Sequence, residues 1–432
     1  MLDRDPFRRW FSALLDHAAP RIERMRLADS SAWSMHGGFV VHRSHGFFSV
    51  VGAEWTDVEG SVRQQPFLDQ REIGTLGFLL RTDRGRTEIL VHAKIEPGNV
   101  GFVQLAPTCQ ATYSNALRLH GGEAPPFVEL FPRGGAGIVY DVEQSEQGTR
   151  FLYKRNRNVL AVTAADVPLP ETHRWLDVET LLGCLHDDWL LNTDARSVLV
   201  CAPWERLVGR APFSSSRDGF GAELRRSLHA PSAHRTLDEV RERIVRMRAL
   251  AETPAVIGLD ALRDWSPDEE GISPRDAAVP FRVRQIRVQV RGREVPEWDQ
   301  PIVDSAGDGE VLLACGRIEG VLHFALRAER EVGLASRVEL TATVVVPPGV
   351  AADDVALHAW RGEVVAKVHQ SEEGGRFHRD TNRYRIVDVG PAFSAGPAHF
   401  WLTLGDIRTL LDEPGWLTNE ARSALSLLLP WM

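Results

Sequence analysis

The sequence predicts an α+β fold made of two tandem copies of one unit, each a mixed β-sheet flanked by helices. Three observations carry that prediction. A polar phrase occurs twice, as "DVEQSEQGTRFLYKRNRNVLAV" from Asp141 and as "KVHQSEEGGRFHRDTNRYRIVDV" from Lys367. Strand-like apolar runs precede helix-like stretches. The 432 residues suffice for two cores of ordinary domain size.

Aligning Gln144–Val159 with Gln370–Arg385, an offset of 226, gives eight identities in sixteen positions. Chance gives roughly one. The same offset pairs Trp175-Leu176 with Trp401-Leu402, and Ala195-Arg196-Ser197 with Ala421-Arg422-Ser423. Upstream the offset becomes 235, pairing Gln65-Pro66 with Gln300-Pro301, Gly98 with Gly333 and Thr108 with Thr343. The second copy has therefore lost nine residues around "HGGEAPPF". Further up, Trp33-Ser34 lines up with Trp265-Ser266. A repeat this long is a duplicated domain rather than a solenoid module. The units expected are 1–207 and 237–432. The stretch 208–236, rich in Ser, Gly, Pro and Arg, reads as an irregular linker.

Within the first unit, Asp5-Pro6 has the N-cap and first-turn character of a helix running to about Asp16. Strands follow at "GFFSVVGAEW", "TLGFLLRT", "TEILVHAKI", "FVQLAPT", "AGIVYDVE" and "NVLAVTA". "TDRGRT" (82–87) separates two of them as a hairpin turn. Asp177 is a good N-cap for "VETLLGCLH", and "NTDARSVLVCA" begins another helix.

Composition narrows the class. Apolar residues are 43% and charged residues 25%, as in soluble globular proteins. A net charge of −9 argues against nucleic-acid partners, which clustered cations would bind. The N-terminus is charged from its third residue, unlike a signal peptide, and no apolar run approaches the roughly 20 residues of a membrane span. Cys109, Cys184, Cys201 and Cys315 form no CxxC pair and are expected to be reduced and buried in a cytoplasmic protein. GxGxxG and GxxxxGK[ST] phosphate loops are absent, as are HExxH or HxH spacings and a GxSxG elbow, so no metal site is expected.

The two copies differ in their polar groups. Lys94, Asn99 and Gln104 become Glu329, Leu334 and Glu339, while Glu96 is kept as Glu331. Lys154 and Arg155 become Asp380 and Thr381. Such asymmetry suits a duplicated scaffold with one working site in the first unit. On a strand Arg155 and Arg157 share a face and could grip a diphosphate in forked geometry. The bland alternative is a solvated edge strand with gatekeeper charges. Gln144, Ser145 and Glu146 survive in both copies and could equally be a turn satisfying local backbone. Lys94 and Glu96 alternate onto one strand face before the turn Pro97-Gly98-Asn99. They read either as a surface ion pair or as a pocket rim. Trp33 could stack on a base, although aromatic residues beside strands are more often core.

Taken together, "AKIEPGN", "QLAPTCQAT" and "QSEQGTRFLYKRNRN" resemble the sugar-nucleotide 2,3-dehydratases of deoxysugar biosynthesis, over nearly the whole chain. The resemblance implies two Nudix-like units, a homodimer, and a dTDP-4-keto-6-deoxy-D-glucose substrate dehydrated without a cofactor. A 3-ketoreductase would consume the unstable diketo product. It places Lys94 as oxyanion stabiliser or acid and Glu96 or Glu146 as base. Trp33, Gln65, Gln104, Gln144, Arg155, Asn156 and Arg157 would bind substrate. A catalytically idle nucleotide-sugar binder is the alternative. The chain departs from the family at His92, usually Gln, and at Ala116, usually Tyr, where Tyr113 could substitute.

Overall fold

The computed structural model describes residues 5–112, 124–214, 219–233, 235–291, 295–350, 357–390 and 398–432. Tyr113, Ala116 and the glycines of "HGG" lie outside them. The duplication is visible as two large sheets that correspond strand for strand. In the first, Ile138–Ser145, Arg155–Val162, Gly74–Asp83, Arg86–Ile95 and His173–Asp177 lie side by side. Val103–Ala106 and Cys109–Ala111 add to Arg86–Ile95 and Gly74–Asp83. In the second, Glu363–Ser371, Thr381–Asp388, Asp308–Ile318, Val321–Arg330 and His399–Leu402 repeat the order. Both are mixed, with one parallel pair at the centre, Arg155–Val162 on Gly74–Asp83 and Thr381–Asp388 on Asp308–Ile318.

Local chemistry explains the elements. Phe78, Leu79 and Leu80, like Ile89, Leu90 and Val91, are consecutive and all buried, because both faces of the sheet are covered. The hairpin between them turns on Arg84 and Gly85, at φ 47° and 78°, the two positive values that a two-residue turn of matching twist needs. Asp177 accepts from the N–H groups of Glu179 and Thr180, and Asn192 from that of Ala195, which starts the helices Val178–Gly183 and Thr193–Cys201. All four cysteines are free and buried. No helix among the described residues is long and apolar enough to cross a membrane.

Two features differ from expectation. The run "GFFSVVGAEW" does not join the large sheet. Ser49–Thr56 instead lies in a smaller sheet with Val62–Asp69, Phe39–His42 and Trp33–His36. The halves also exchange strands. Arg21–Arg24 pairs with Phe281–Gln289, and Ala255–Ile257 pairs with Ser49–Thr56. Strands of three or four residues carry no periodicity that could be read in advance. The expected irregular linker also holds a helix, Gly219–His229, with Leu224 and Ser227 buried. Phe220, Leu224 and Leu228 stand four apart on its packed face, a helical spacing that the surrounding Ser, Gly, Pro and Arg masked.

The seam between the halves is polar and buried, and it explains the repeated phrase. Gln144 donates to the Leu411 carbonyl at 3.0 Å, Ser145 to Glu339 at 2.6 Å, and Gln147 to Glu372. Gln104 donates to Ser371 at 2.7 Å. These side chains bond across the duplication rather than to a local turn. Gly98 and Gly333 bond to the opposite copy's Gly374 and Gly148. A Cβ at Gly98 would stand 1.5 Å from the Phe377 carbonyl oxygen, so only glycine permits the approach.

Helices Thr193–Cys201 and Asn419–Ser426 pack together at the centre of the seam, with Thr193 donating to Asn419 at 3.0 Å. Arg422 is fully buried and donates to Ser197 at 2.9 Å and to the carbonyls of Leu417 and Ser145 at 2.5 and 2.6 Å. Arg422→Ala removes this donor from two buried carbonyls, each costing about 1–3 kcal/mol, while the Ser197 hydroxyl keeps its bond from Asn158 at 2.8 Å. We expect a loss of about 3 kcal/mol or more, read as a lower denaturant midpoint at unchanged slope.

Candidate active site

Beside this seam the first unit's sheet opens on a cavity of about 100 Å³. Gln70, Lys94, Glu96, Gln110, Lys154, Asn156 and Asp194 line it from the first half, and Glu373, Gly375 and Arg376 from the second. Lys94 ends the strand Arg86–Ile95 and forms an ion pair with Glu96 at 2.7 Å. Glu96 also accepts from Gln110 at 3.3 Å, and Asn192 holds Gln110 at 3.2 Å. The second Glu96 oxygen, Oε2, is buried without a hydrogen-bond partner.

Asp194 stands in the first turn of its helix, 1% exposed, with Oδ1 lacking a partner. Burial holds its carboxyl well above the usual range, helped by the nearby charges of Glu373, Glu146 and Glu96 and opposed by Lys94. Glu146 is buried behind the cavity and accepts from Asn156 at 2.7 Å and from Asn419 at 3.0 Å. Burial first, then Glu373, pushes it up to about 7. Both Glu146 oxygens accept from amides, which favours its anion, whereas Asp194 keeps an oxygen without a hydrogen-bond partner. Lys154 donates to the Glu72 carbonyl at 2.8 Å, and burial lowers its pKa against the opposing charges of Glu373 and Glu146.

The site residues predicted from sequence separate into groups. Lys94, Glu96 and Asn156 line the cavity and Glu146 bonds to Asn156 from behind. Gln104 and Gln144 lie in the seam. Arg155 and Arg157 face away. Arg157 forms a forked pair with Asp141 at 2.9 and 2.5 Å, and Arg155 pairs with Glu143 at 3.3 Å. Their strand lies inside the sheet, so the edge-strand alternative is also replaced, by cross-strand ion pairs. Trp33 is core, stacked near Phe48 with its indole donating to the Asp299 carbonyl at 2.9 Å. Gln65 donates to the Thr149 carbonyl at 2.7 Å.

Sequence reasoning passed over Gln70, Gln110, Asp194, Glu373 and Arg376, and weighed Lys154 only within the cation run. Asp194 had a signal: it precedes the repeated Ala-Arg-Ser triplet and aligns with Glu420, so acidity persists in both copies. A larger cleft, about 1060 Å³, lies between the N-terminal helix and the second large sheet. Several of its charges are paired, Arg383 and Arg385 with Glu310 and His369 with Asp188. The buried oxygens of Glu96 and Asp194 that lack hydrogen-bond partners, not size, make the smaller cavity the candidate site. No group of three or more His, Cys, Asp or Glu among the described residues is arranged to hold a metal ion.

The family model described as NDP-hexose 2,3-dehydratase matches residues 4–202 and 239–428. A dTDP-4-dehydro-6-deoxy-alpha-D-glucopyranose 2,3-dehydratase of Saccharopolyspora spinosa is 33% identical over 99% of this chain and 92% of its own length. Proteins of the same name from Amycolatopsis orientalis and Streptomyces violaceoruber are each 33% identical over 97% of the chain, covering 88% and 96% of themselves. The chain belongs to the NDP-hexose 2,3-dehydratase family.

Proposed function

We propose that this chain dehydrates dTDP-4-keto-6-deoxy-D-glucose across C2 and C3. One observation carries the assignment of roles: the Lys94–Glu96 ion pair and the buried carboxyl of Asp194, which burial pushes toward its protonated form, line one small cavity. The C4 ketone acidifies the C3 proton, which Glu96 removes through its unpaired oxygen. Lys94 stabilises the negative charge that develops on the C4 oxygen. The C2–O bond then breaks as Asp194 gives its proton to the leaving hydroxyl, and water departs. The C2=C3 enol that remains gains a proton at C2 and loses one from the C3 hydroxyl, giving the 3,4-diketo-2,6-dideoxy sugar. Asn156, anchored by Glu146, is placed to bond a sugar hydroxyl.

The wider setting follows the same reading. The product is unstable, so a 3-ketoreductase of a deoxysugar pathway would take it up in the cytoplasm. The two units, 1–207 and 237–432, descend from one Nudix-like ancestor, and the enzyme works as a homodimer. The test is direct. Purified protein is incubated with the 4-keto sugar nucleotide and coupled to a 3-ketoreductase. Ketoreductase-dependent formation of a 2,6-dideoxy sugar nucleotide supports the assignment. Binding without turnover would make the protein an idle binder, and release of thymidine monophosphate would make it a hydrolase.

A further inference from the structure

The second half has acidic residues, Glu329 and Asp380, where the first has Lys94 and Lys154, yet it sends side chains into the first half's cavity. Arg376 is the clearest. It is the counterpart of Arg150 in the repeated phrase, and the two are handled reciprocally. Arg150 crosses to the second half and lies over Phe281 at 3.8 Å, while Arg376 crosses to the first and lies over Phe48 at 4.3 Å. The surroundings differ at one position. Near Arg150 stand the buried carboxylates Asp380, Glu331 and Glu420, which offset its charge. At Arg376 the counterparts of Glu331 and Glu420 are Glu96 and Asp194, but the position of Asp380 is taken by Lys154, which repels rather than attracts. Glu373 offsets part of that repulsion at Lys154.

The Arg376 guanidinium is oriented but not neutralised. Its Nε donates to Gln70 at 3.2 Å and one terminal nitrogen to the Gly375 carbonyl at 2.8 Å. Among the described residues it has no ion pair with a carboxylate, in contrast to Arg155 and Arg157. A half-buried, stacked guanidinium beside a buried ammonium, with donors left over, is built for a multiply charged oxyanion. The substrate carries one such group, its diphosphate.

We propose that Arg376, a residue of the second half, grips the diphosphate of the nucleotide sugar bound at the first half's site. This rests on the dehydratase reading above, and it makes the site incomplete without the degenerate copy. Thymidine diphosphate is the probe, titrated by calorimetry into the full chain, Arg376→Gln and Arg376→Lys, with thermal melts confirming the fold. The Gln variant is expected to bind about tenfold or more weakly, since a charge-assisted, forked contact is lost. The Lys variant, which keeps charge but not the fork or the stacking, is expected to fall between. In turnover, KM for the sugar nucleotide should rise with kcat changing far less, because the contact is made equally in ground and transition states. Equal affinity of the wild type and both variants would overturn the assignment of Arg376. Failure of the wild type itself to bind the nucleotide would instead overturn the dehydratase reading. If Arg376→Gln fails to fold, the Lys variant alone decides: unchanged affinity sinks the proposal and a weaker one upholds it.

Discussion

Lys94→Ala is expected to lower kcat by about 10²–10³-fold while the protein stays folded, the cost of removing one oxyanion stabiliser from a water-poor site. Two losses combine. The C4 oxygen loses the cation that meets its developing charge. Glu96, 5% exposed and holding one oxygen without a hydrogen bond, also loses the ion pair that positions it beside the cavity. Lys94→Arg keeps the charge on a longer, planar head, and should recover part of the rate. Single-turnover measurements in the ketoreductase-coupled assay, with melting curves alongside, would check this. A folded Lys94→Ala enzyme with wild-type turnover would remove Lys94 from the mechanism.

Much of the scaffold was legible because its signals were local. The hairpin at Arg84-Gly85, the caps Asp177 and Asn192, and the buried run Ile89–Val91 each follow from a few neighbouring residues. The duplication was legible because eight identities in sixteen survive. What the phrase does was not. Gln144, Ser145 and Gln147 find partners more than 190 residues away, and nothing in their own neighbourhood names Leu411, Glu339 or Glu372. The face that Arg155 and Arg157 occupy turns on parity. Strand alternation correctly put Arg155 and Arg157 on one face, but that face meets Asp141 and Glu143, and Lys154 with Asn156 look into the cavity. Alternation gives which residues share a face; only tertiary packing decides which face meets the ligand. Copy asymmetry proved a guide to charge at Lys94 and Lys154, yet it hid Arg376, which is identical in both copies and differs only in what surrounds it.

The acid is the other half of the chemistry, and Asp194→Asn isolates it. An amide at this position keeps the shape of the side chain but has no acidic proton for the leaving C2 hydroxyl. We expect kcat to fall about 10²–10⁴-fold, the range of a lost general acid. The pH dependence separates this role from a structural one. Only protonated Asp194 acts in this reading, so wild-type kcat should decline as pH rises through its titration, which burial and the charges of Glu373 and Glu146 raise well above the usual carboxylate range. Stability moves with the same sign. Burial raises both carboxyls in the folded state, so their contribution is complete below about pH 4, the unfolded carboxylate range, and is lost as pH rises through their raised folded values, about 7 for Glu146. Asp194→Asn should therefore flatten the alkaline fall in stability as it abolishes the rate. Glu146→Gln removes a like charge and leaves burial, the larger cause, in place. The alkaline limb of kcat should then move to lower pH rather than disappear. An Asp194→Asn enzyme retaining turnover, or a Glu146→Gln profile unmoved from wild type, would give the proton to another group and leave this pair as packing alone.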